Sequence, residues 1–182
     1  MKTVVIYKSK TGFAKKYAEW IAEELSADLF EVSKVTIGDI RAYDNIVYGG
    51  GLYEIGISGV KFITRNLDKL EGKKIAVFGT GATPPREQDI ISVRDCNFTP
   101  EQLTKLRFFY MRGGFDFSGL PPIYKFLMLL LKLKIKMKKE SKRVPDEKGM
   151  LAAYDKPADF TRRENIEELV AYIRGTSPSD CV

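Results

Sequence analysis

The hydrophobic positions of this chain fall into two alternating rhythms. Short apolar runs at Val4–Tyr7, Leu29–Val32, Asn45–Tyr48, Lys74–Phe78 and Arg107–Met111 have the length and the β-branched and aromatic content of strands. Between them the apolar residues recur at helical spacing. After the first run, Ala14, Tyr17, Ala18, Ile21, Ala22 and Leu25 follow at i, i+3, i+4, i+7, i+8 and i+11, while Lys15, Lys16, Glu19, Glu23 and Glu24 take the other face. Val60, Ile63, Leu67 and Leu70 predict a helix after the third run that stops at Gly72. Thr99-Pro100-Glu101-Gln102 predicts a short capped helix before the fifth run. A last helix is predicted to open with the capping box Thr161-Arg162-Arg163-Glu164, to bury Ile166, Leu169, Val170 and Ile173, and to end at Gly175. Five strands alternating with helices predict an α/β fold, a parallel sheet covered on both faces, and suit the doubly wound order 2-1-3-4-5.

In such a sheet the loops beyond the carboxyl ends of strands one, three and four converge where the strand order reverses. The first carries Ser9-Lys10-Thr11-Gly12 before a helix: hydroxyls beside free N–H groups, a glycine that lets the backbone approach, and a helix N-terminus that favours an anion. The second is Gly49-Gly50-Gly51-Leu52-Tyr53, where Tyr53 is able to cover a flat ring, and the third is Gly79-Thr80-Gly81-Ala82-Thr83-Pro84-Pro85. Neither Gly-x-x-x-x-Gly-Lys-Ser/Thr nor Gly-x-Gly-x-x-Gly occurs, which excludes the nucleoside triphosphatase loop and the dinucleotide fingerprint.

The first loop resembles that of the flavodoxins. Their Ser/Thr-x-Thr-Gly-x-Thr pattern cradles the phosphate of FMN, and here it reads Ser9-Lys10-Thr11-Gly12-Phe13-Ala14, with Ala14 in place of the last hydroxyl. The resemblance implies a flavodoxin-like doubly wound five-stranded sheet and FMN as cofactor. It implies Ser9, Lys10, Thr11, Gly12, Phe13 and Ala14 at the phosphate. Gly50, Gly51, Leu52 and Tyr53 would flank one side of the flavin ring, and Thr80, Gly81, Ala82 and Thr83 the other. Lys10 adds charge where its side chain turns inward.

Composition narrows the chemistry. The 182 residues suffice for one domain, expected over 1–182, with a substantial core. Histidine is absent, which removes Ser-His, Cys-His and His-metal catalysis, so chemistry falls to a cofactor, with no metal and no acid–base side chain assigned. Cys96 and Cys181 form no Cys-x-x-Cys pair, and no secretory signal opens the chain; a reducing, cytoplasmic setting is expected.

The most unusual segment is 120–143, an insertion after the fifth strand. Seven Lys and one Arg against one Glu give it +7, whereas the whole chain carries +6, so the basicity is local. On a helical projection Ile123, Phe126, Leu127, Leu130, Leu133 and Met137 share one side. Lys125, Lys132, Lys136 and Lys139 fall opposite, and Lys134 intrudes on the apolar side. The run is too short to span a bilayer. It reads as an amphipathic helix for a membrane surface or an apolar substrate; packing on the sheet or in a homodimer is the alternative. Interleaved Leu, Ile and Met argue against nucleic acid.

Gly113-Gly114, Pro121-Pro122-Ile123-Tyr124-Lys125-Phe126, the Leu/Lys/Met run and a final helix from Asp155 to Ile173 together resemble the menaquinone-dependent protoporphyrinogen dehydrogenases. That resemblance implies an FMN enzyme peripheral to the inner face of the cell membrane, with a porphyrinogen and a quinone as redox partners. A soluble electron carrier and a non-catalytic membrane-surface module are the other readings. Gly51-Leu52-Tyr53 lacks the basic residue of that family's second flavin loop.

Overall fold

The computed structural model describes residues 1–117, 122–139, 151 and 158–176. Its elements are β1 (Thr3–Lys8), α1 (Phe13–Leu25), β2 (Asp28–Glu31), α2 (Ile37–Ile40), β3 (Asn45–Tyr53), β4 (Gly56–Ile57) and α3 (Lys61–Thr64). These are followed by β5 (Lys74–Gly81), α4 (Glu87–Asn97), α5 (Pro100–Lys105), β6 (Arg107–Arg112), β7 (Gly114–Phe115), α6 (Pro122–Met137), β8 (Ala158–Asp159) and α7 (Glu167–Arg174). The main sheet is parallel in the order β2-β1-β3-β5-β6; β4 pairs antiparallel with the end of β3. Discounting that two-residue hairpin, the order is the expected 2-1-3-4-5.

Side chains alternate across the sheet and feed two cores. Val4, Ile6, Ile46, Tyr48, Ile75 and Val77 face the side covered by α3, α4 and α5. Val5, Val47, Ala76 and Phe78 face the side where α1 packs Tyr17, Ala18 and Ile21 and α7 packs Leu169, Val170 and Ile173. The central strands are apolar without interruption because both of their faces are buried. Edge strand β2 is largely exposed, and it lies one residue earlier than its apolar run suggested.

Four local expectations are corrected. The run Gly49–Gly51 is strand, not loop: it continues β3 and pairs with Phe78, Gly79 and Thr80. A Cβ on Gly49 would fall on the Phe78 ring, so the glycine makes room for an aromatic on the neighbouring strand. Thr80 and Gly81 likewise belong to β5. The helix expected over Val60–Leu70 is one α-helical turn, α3, and a separate 3₁₀ turn at Leu67–Leu70. Asn66 breaks it, its side-chain amide donating to the Phe62 carbonyl at 3.0 Å. The capping box at Thr161 does not form. Instead the Thr161 hydroxyl and N–H both donate to Asp159 Oδ1, at 2.6 and 2.8 Å, and a 3₁₀ turn (Arg163–Ile166) without a side-chain cap leads into α7. Thr99 and Gln102 do form their capping box, and Gly175 ends α7 at φ 76°.

Of the insertion 120–143, α6 and residues 138–139 are described; Leu120, Pro121 and 140–143, with Asp155 and Cys181, lie outside the described residues. Its base is defined by β7 and β8, which pair antiparallel through Gly114↔Asp159 and Phe115↔Ala158. The stripe Ile123, Phe126, Leu127, Leu130, Leu133, Met137 does not pack on the sheet: all six side chains are exposed. Among the described residues no helix is long and apolar enough to cross a membrane.

Candidate functional site

At the carboxyl ends of β1, β3, β5 and β6 lies a cavity of about 280 Å³. Of the fourteen sequence-predicted site residues, nine line it: Thr11, Phe13 and Ala14 from the first turn; Gly51, Leu52 and Tyr53 from β3; and Thr80, Gly81 and Ala82 from the end of β5. Three segments far apart in sequence therefore converge as the strand order requires.

The other five take supporting positions. Ser9 Oγ accepts a hydrogen bond from Gly12 N–H at 3.1 Å and so braces the turn. Gly12 caps α1 at φ 89°, a left-handed conformation that costs any residue with a Cβ. Lys10 crosses to the second segment, its Nζ 4.5 Å from the centre of the Tyr53 ring. Gly50 faces the β4 hairpin, where a Cβ would meet the Ser58 backbone. Thr83 lines a neighbouring cavity of about 170 Å³ that shares Leu52, Glu54, Gly81 and Ala82 with the first. There Tyr110 donates its hydroxyl proton to the Thr83 carbonyl at 2.7 Å, and burial, reinforced by Asp89, pushes its pKa up to about 12.

Two features of the main cavity invite a polar ligand. No side chain caps α1, and its first turn contains no acid, so the helix presents its N-terminal N–H groups and partial positive charge toward the loop. Thr80 is only 6% exposed and its Oγ1 has no hydrogen-bond partner. A buried hydroxyl left in that state costs about 1–3 kcal/mol, a deficit that a polar group entering beside it relieves. The remaining wall is largely apolar, with Phe13, Leu52, Phe115 and Met128. An anionic group at the α1 end and a flat, partly polar ring beside β3 and β5 suit this donor set; FMN carries both.

Sequence reasoning missed Glu54, Gly114, Phe115, Asp116 and Met128 in the wall. Glu54 follows Tyr53 with φ 56°, a turn conformation without a glycine to announce it. Phe115 follows the Gly113-Gly114 pair, which was the available signal. Met128 comes from the insertion, so α6 borders the site as well as extending the chain.

The base of the insertion is anchored to the same corner. Lys16 of α1 pairs with Asp159 of β8 at 2.8 Å. Burial raises the Asp159 pKa, but the bonds from Lys16 and Thr161 outweigh this and hold the carboxyl below its ordinary value. The wholly buried Tyr17 sits beneath: its hydroxyl donates to the Arg112 carbonyl at 2.6 Å and accepts from Asn165 Nδ2 at 2.7 Å and Arg162 N–H at 3.3 Å.

A family model described as the flavodoxin domain matches residues 4–143. An uncharacterized protein of Methanocaldococcus jannaschii is 38% identical over 87 residues, covering 46% of this chain and 57% of that protein. A flavodoxin of Maridesulfovibrio salexigens is 34% identical over 94 residues, covering 44% of this chain and 63% of its own. The matched stretch is thus less than two thirds of either relative's length. Among solved structures, oxidised flavodoxin 1 from Bacillus cereus aligns with a TM-score of 0.46 and 20% identity, over 62% of this chain and 84% of that one.

Proposed function

The chain belongs to the flavodoxin-domain family, and on that premise we propose that it binds FMN in the cavity between α1, β3 and β5 and serves as a redox protein. What carries the reading is a coincidence in one cavity: an uncapped helix N-terminus beside an orphaned buried hydroxyl, framed by three strand ends. The backbone N–H groups of the α1 first turn and the Thr11 hydroxyl hold the phosphate, with Gly12 setting the path of the loop. Leu52 and Tyr53 flank the ring on one side and Gly81 and Ala82 on the other, while Thr80 supplies a hydrogen bond. Lys10, held over Tyr53, adds positive charge between the phosphate loop and that wall. When bound, FMN supplies the one- and two-electron chemistry that these side chains lack. The apolar wall limits water at the ring, and the backbone groups around it tune its potential.

The reading is tested by the visible absorption spectrum of the purified protein, before and after addition of FMN, with flavin released by heat identified in the supernatant. Flavin bands and FMN in the supernatant are expected; no binding at saturating FMN refutes the proposal.

A finer reading is a dehydrogenase acting on a small apolar substrate, of the kind that takes electrons from a porphyrinogen and gives them to a quinone. It is supported by Met128, which brings apolar surface from the insertion to the cavity beside Phe115 of β7. A soluble electron carrier is the other reading. Turnover of a quinone analogue with porphyrinogen as donor separates them: the dehydrogenase shows it and the carrier does not.

A further inference from the structure

Beside the candidate flavin cavity lies the smaller one of about 170 Å³, whose polar side chains have acceptors to offer and no proton left to donate. The Tyr110 hydroxyl gives its proton to the Thr83 carbonyl at 2.7 Å, and burial, with Asp89 adding to it, keeps that proton on the phenol by pushing the pKa up to about 12. The Ser92 hydroxyl gives its proton to the Gln88 carbonyl at 2.8 Å. Both oxygens keep lone pairs. Asp89 as a residue is half-buried, but its Oδ2 is shut off from solvent and has no hydrogen-bond partner. A shielded carboxylate oxygen in that state is unfavourable, and a donor entering beside it relieves the cost.

Charge and shape select the ligand. Glu54 and Asp89 line the cavity and no lysine or arginine does, in a chain whose formal net charge is +6. Arg112 is near enough to act on Tyr110, yet its guanidinium sits over the Phe160 ring at 3.9 Å and its Nε donates to the Ala82 carbonyl at 3.5 Å. The cavity therefore favours a cation. A metal ion fits poorly, because among the described residues no three His, Cys, Asp or Glu side chains gather around one point. Leu52, Ile55 and Val93 add apolar wall, Val93 being the buried residue of α4. An ammonium group has three N–H donors and no acceptor, the complement of this donor-poor set, and a short hydrocarbon body suits the wall. At about 30 Å³ per water-sized group, a volume of about 170 Å³ has room for roughly five such groups.

We propose that this cavity binds a small primary ammonium compound, the Asp89 carboxylate taking the ammonium group and Leu52, Ile55 and Val93 its hydrocarbon part. Tyr110 and Ser92 offer the remaining N–H groups their acceptors. The site goes beyond the FMN reading. The two cavities share Leu52, Glu54, Gly81 and Ala82, but Asp89, Ser92, Val93 and Tyr110 belong to the smaller one alone. Amine binding does not require the larger cavity to be filled, so its failure leaves the FMN reading intact.

The test is an amide-resolved NMR titration of the full chain with n-butylammonium, n-butanol and butyrate at one ionic strength. The three probes share a hydrocarbon tail and differ in charge and in donors. Saturable binding of n-butylammonium is expected, at least tenfold tighter than that of either other probe, with the largest shifts at Asp89, Val93 and Tyr110. Asp89→Asn keeps the shape and removes the charge, and it should weaken n-butylammonium binding at least tenfold with circular dichroism unchanged. Tyr110→Phe leaves the carboxylate and removes one acceptor, and it should weaken binding severalfold. Absence of saturable n-butylammonium binding by the unaltered chain overturns the proposal, as does equal affinity for n-butanol. Shifts centred elsewhere on the surface, or undiminished binding by Asp89→Asn, overturn it too.

Discussion

Replacing Thr80 by Val should strengthen the empty protein and weaken its hold on FMN. Valine keeps the branched shape and removes only the hydroxyl. Thr80 is almost wholly buried at the end of β5, and its Oγ1 has no partner. An unsatisfied buried hydroxyl costs about 1–3 kcal/mol, so Thr80→Val should raise the unfolding free energy of the flavin-free protein by roughly 1 kcal/mol, part of the gain being lost to imperfect repacking. With FMN bound the sign reverses. The hydrogen bond that relieves the hydroxyl is worth about 0.5–1.5 kcal/mol, and its loss should weaken FMN binding by up to about tenfold. Thr80→Ser keeps the hydroxyl and removes a methyl group, so it should retain FMN affinity while losing about 1 kcal/mol of stability. Urea unfolding of the flavin-free proteins and fluorescence titration with FMN give both quantities. Destabilisation of the empty protein by Thr80→Val, with FMN affinity unchanged, would refute the reasoning.

Tyr17→Phe removes one buried hydroxyl from three part-buried hydrogen bonds, to the Arg112 carbonyl, Asn165 Nδ2 and Arg162 N–H. It should cost about 2–4 kcal/mol and lower Tm by roughly 5–15 °C; a loss below about 0.5 kcal/mol would show that water replaces the hydroxyl. Gly12→Ala tests the left-handed turn at φ 89°. An added Cβ meets open space there, so the expected loss of about 1–2 kcal/mol is conformational, and Gly12→Asn should recover part of it. Because Asp159 has a depressed pKa in the folded chain, its stabilising contribution is complete above the ordinary carboxylate value near about 3.9 and is lost as pH falls through the folded value. Stability measured from pH 6 downward should therefore fall more steeply for the unaltered protein than for Asp159→Asn; parallel curves would remove Asp159 from the account.

The first strand, first helix and strand order were legible because each central strand is buried on both faces and α1 on one. Burial of that kind writes an uninterrupted run and a 3.6-residue stripe into the sequence. The convergence of Thr11, Leu52 and Gly81 followed from the topology alone. The glycines Gly49–Gly51 misled because they end an apolar run, yet hydrogen bonding to strands on both sides carries β3 through them to Tyr53. Helix α4 left no stripe, since only Val93 of its eleven residues is buried. In α6 the apolar stripe was legible, but the face that meets the protein was not. Met128, Leu131 and Ile135 meet the protein while the longer apolar stripe faces out, a choice made by the β7–β8 base and the cavity wall and not by hydrophobicity.

The central claim is that this cavity holds a flavin by its phosphate as well as its ring. Titration of the flavin-free chain with FMN and with riboflavin, followed by quenching of flavin fluorescence, tests it most directly. The account predicts one FMN per chain and binding of riboflavin at least tenfold weaker, since riboflavin leaves the N-terminus of α1 without its anion; equal affinity for the two, or no saturable binding of either, would contradict it.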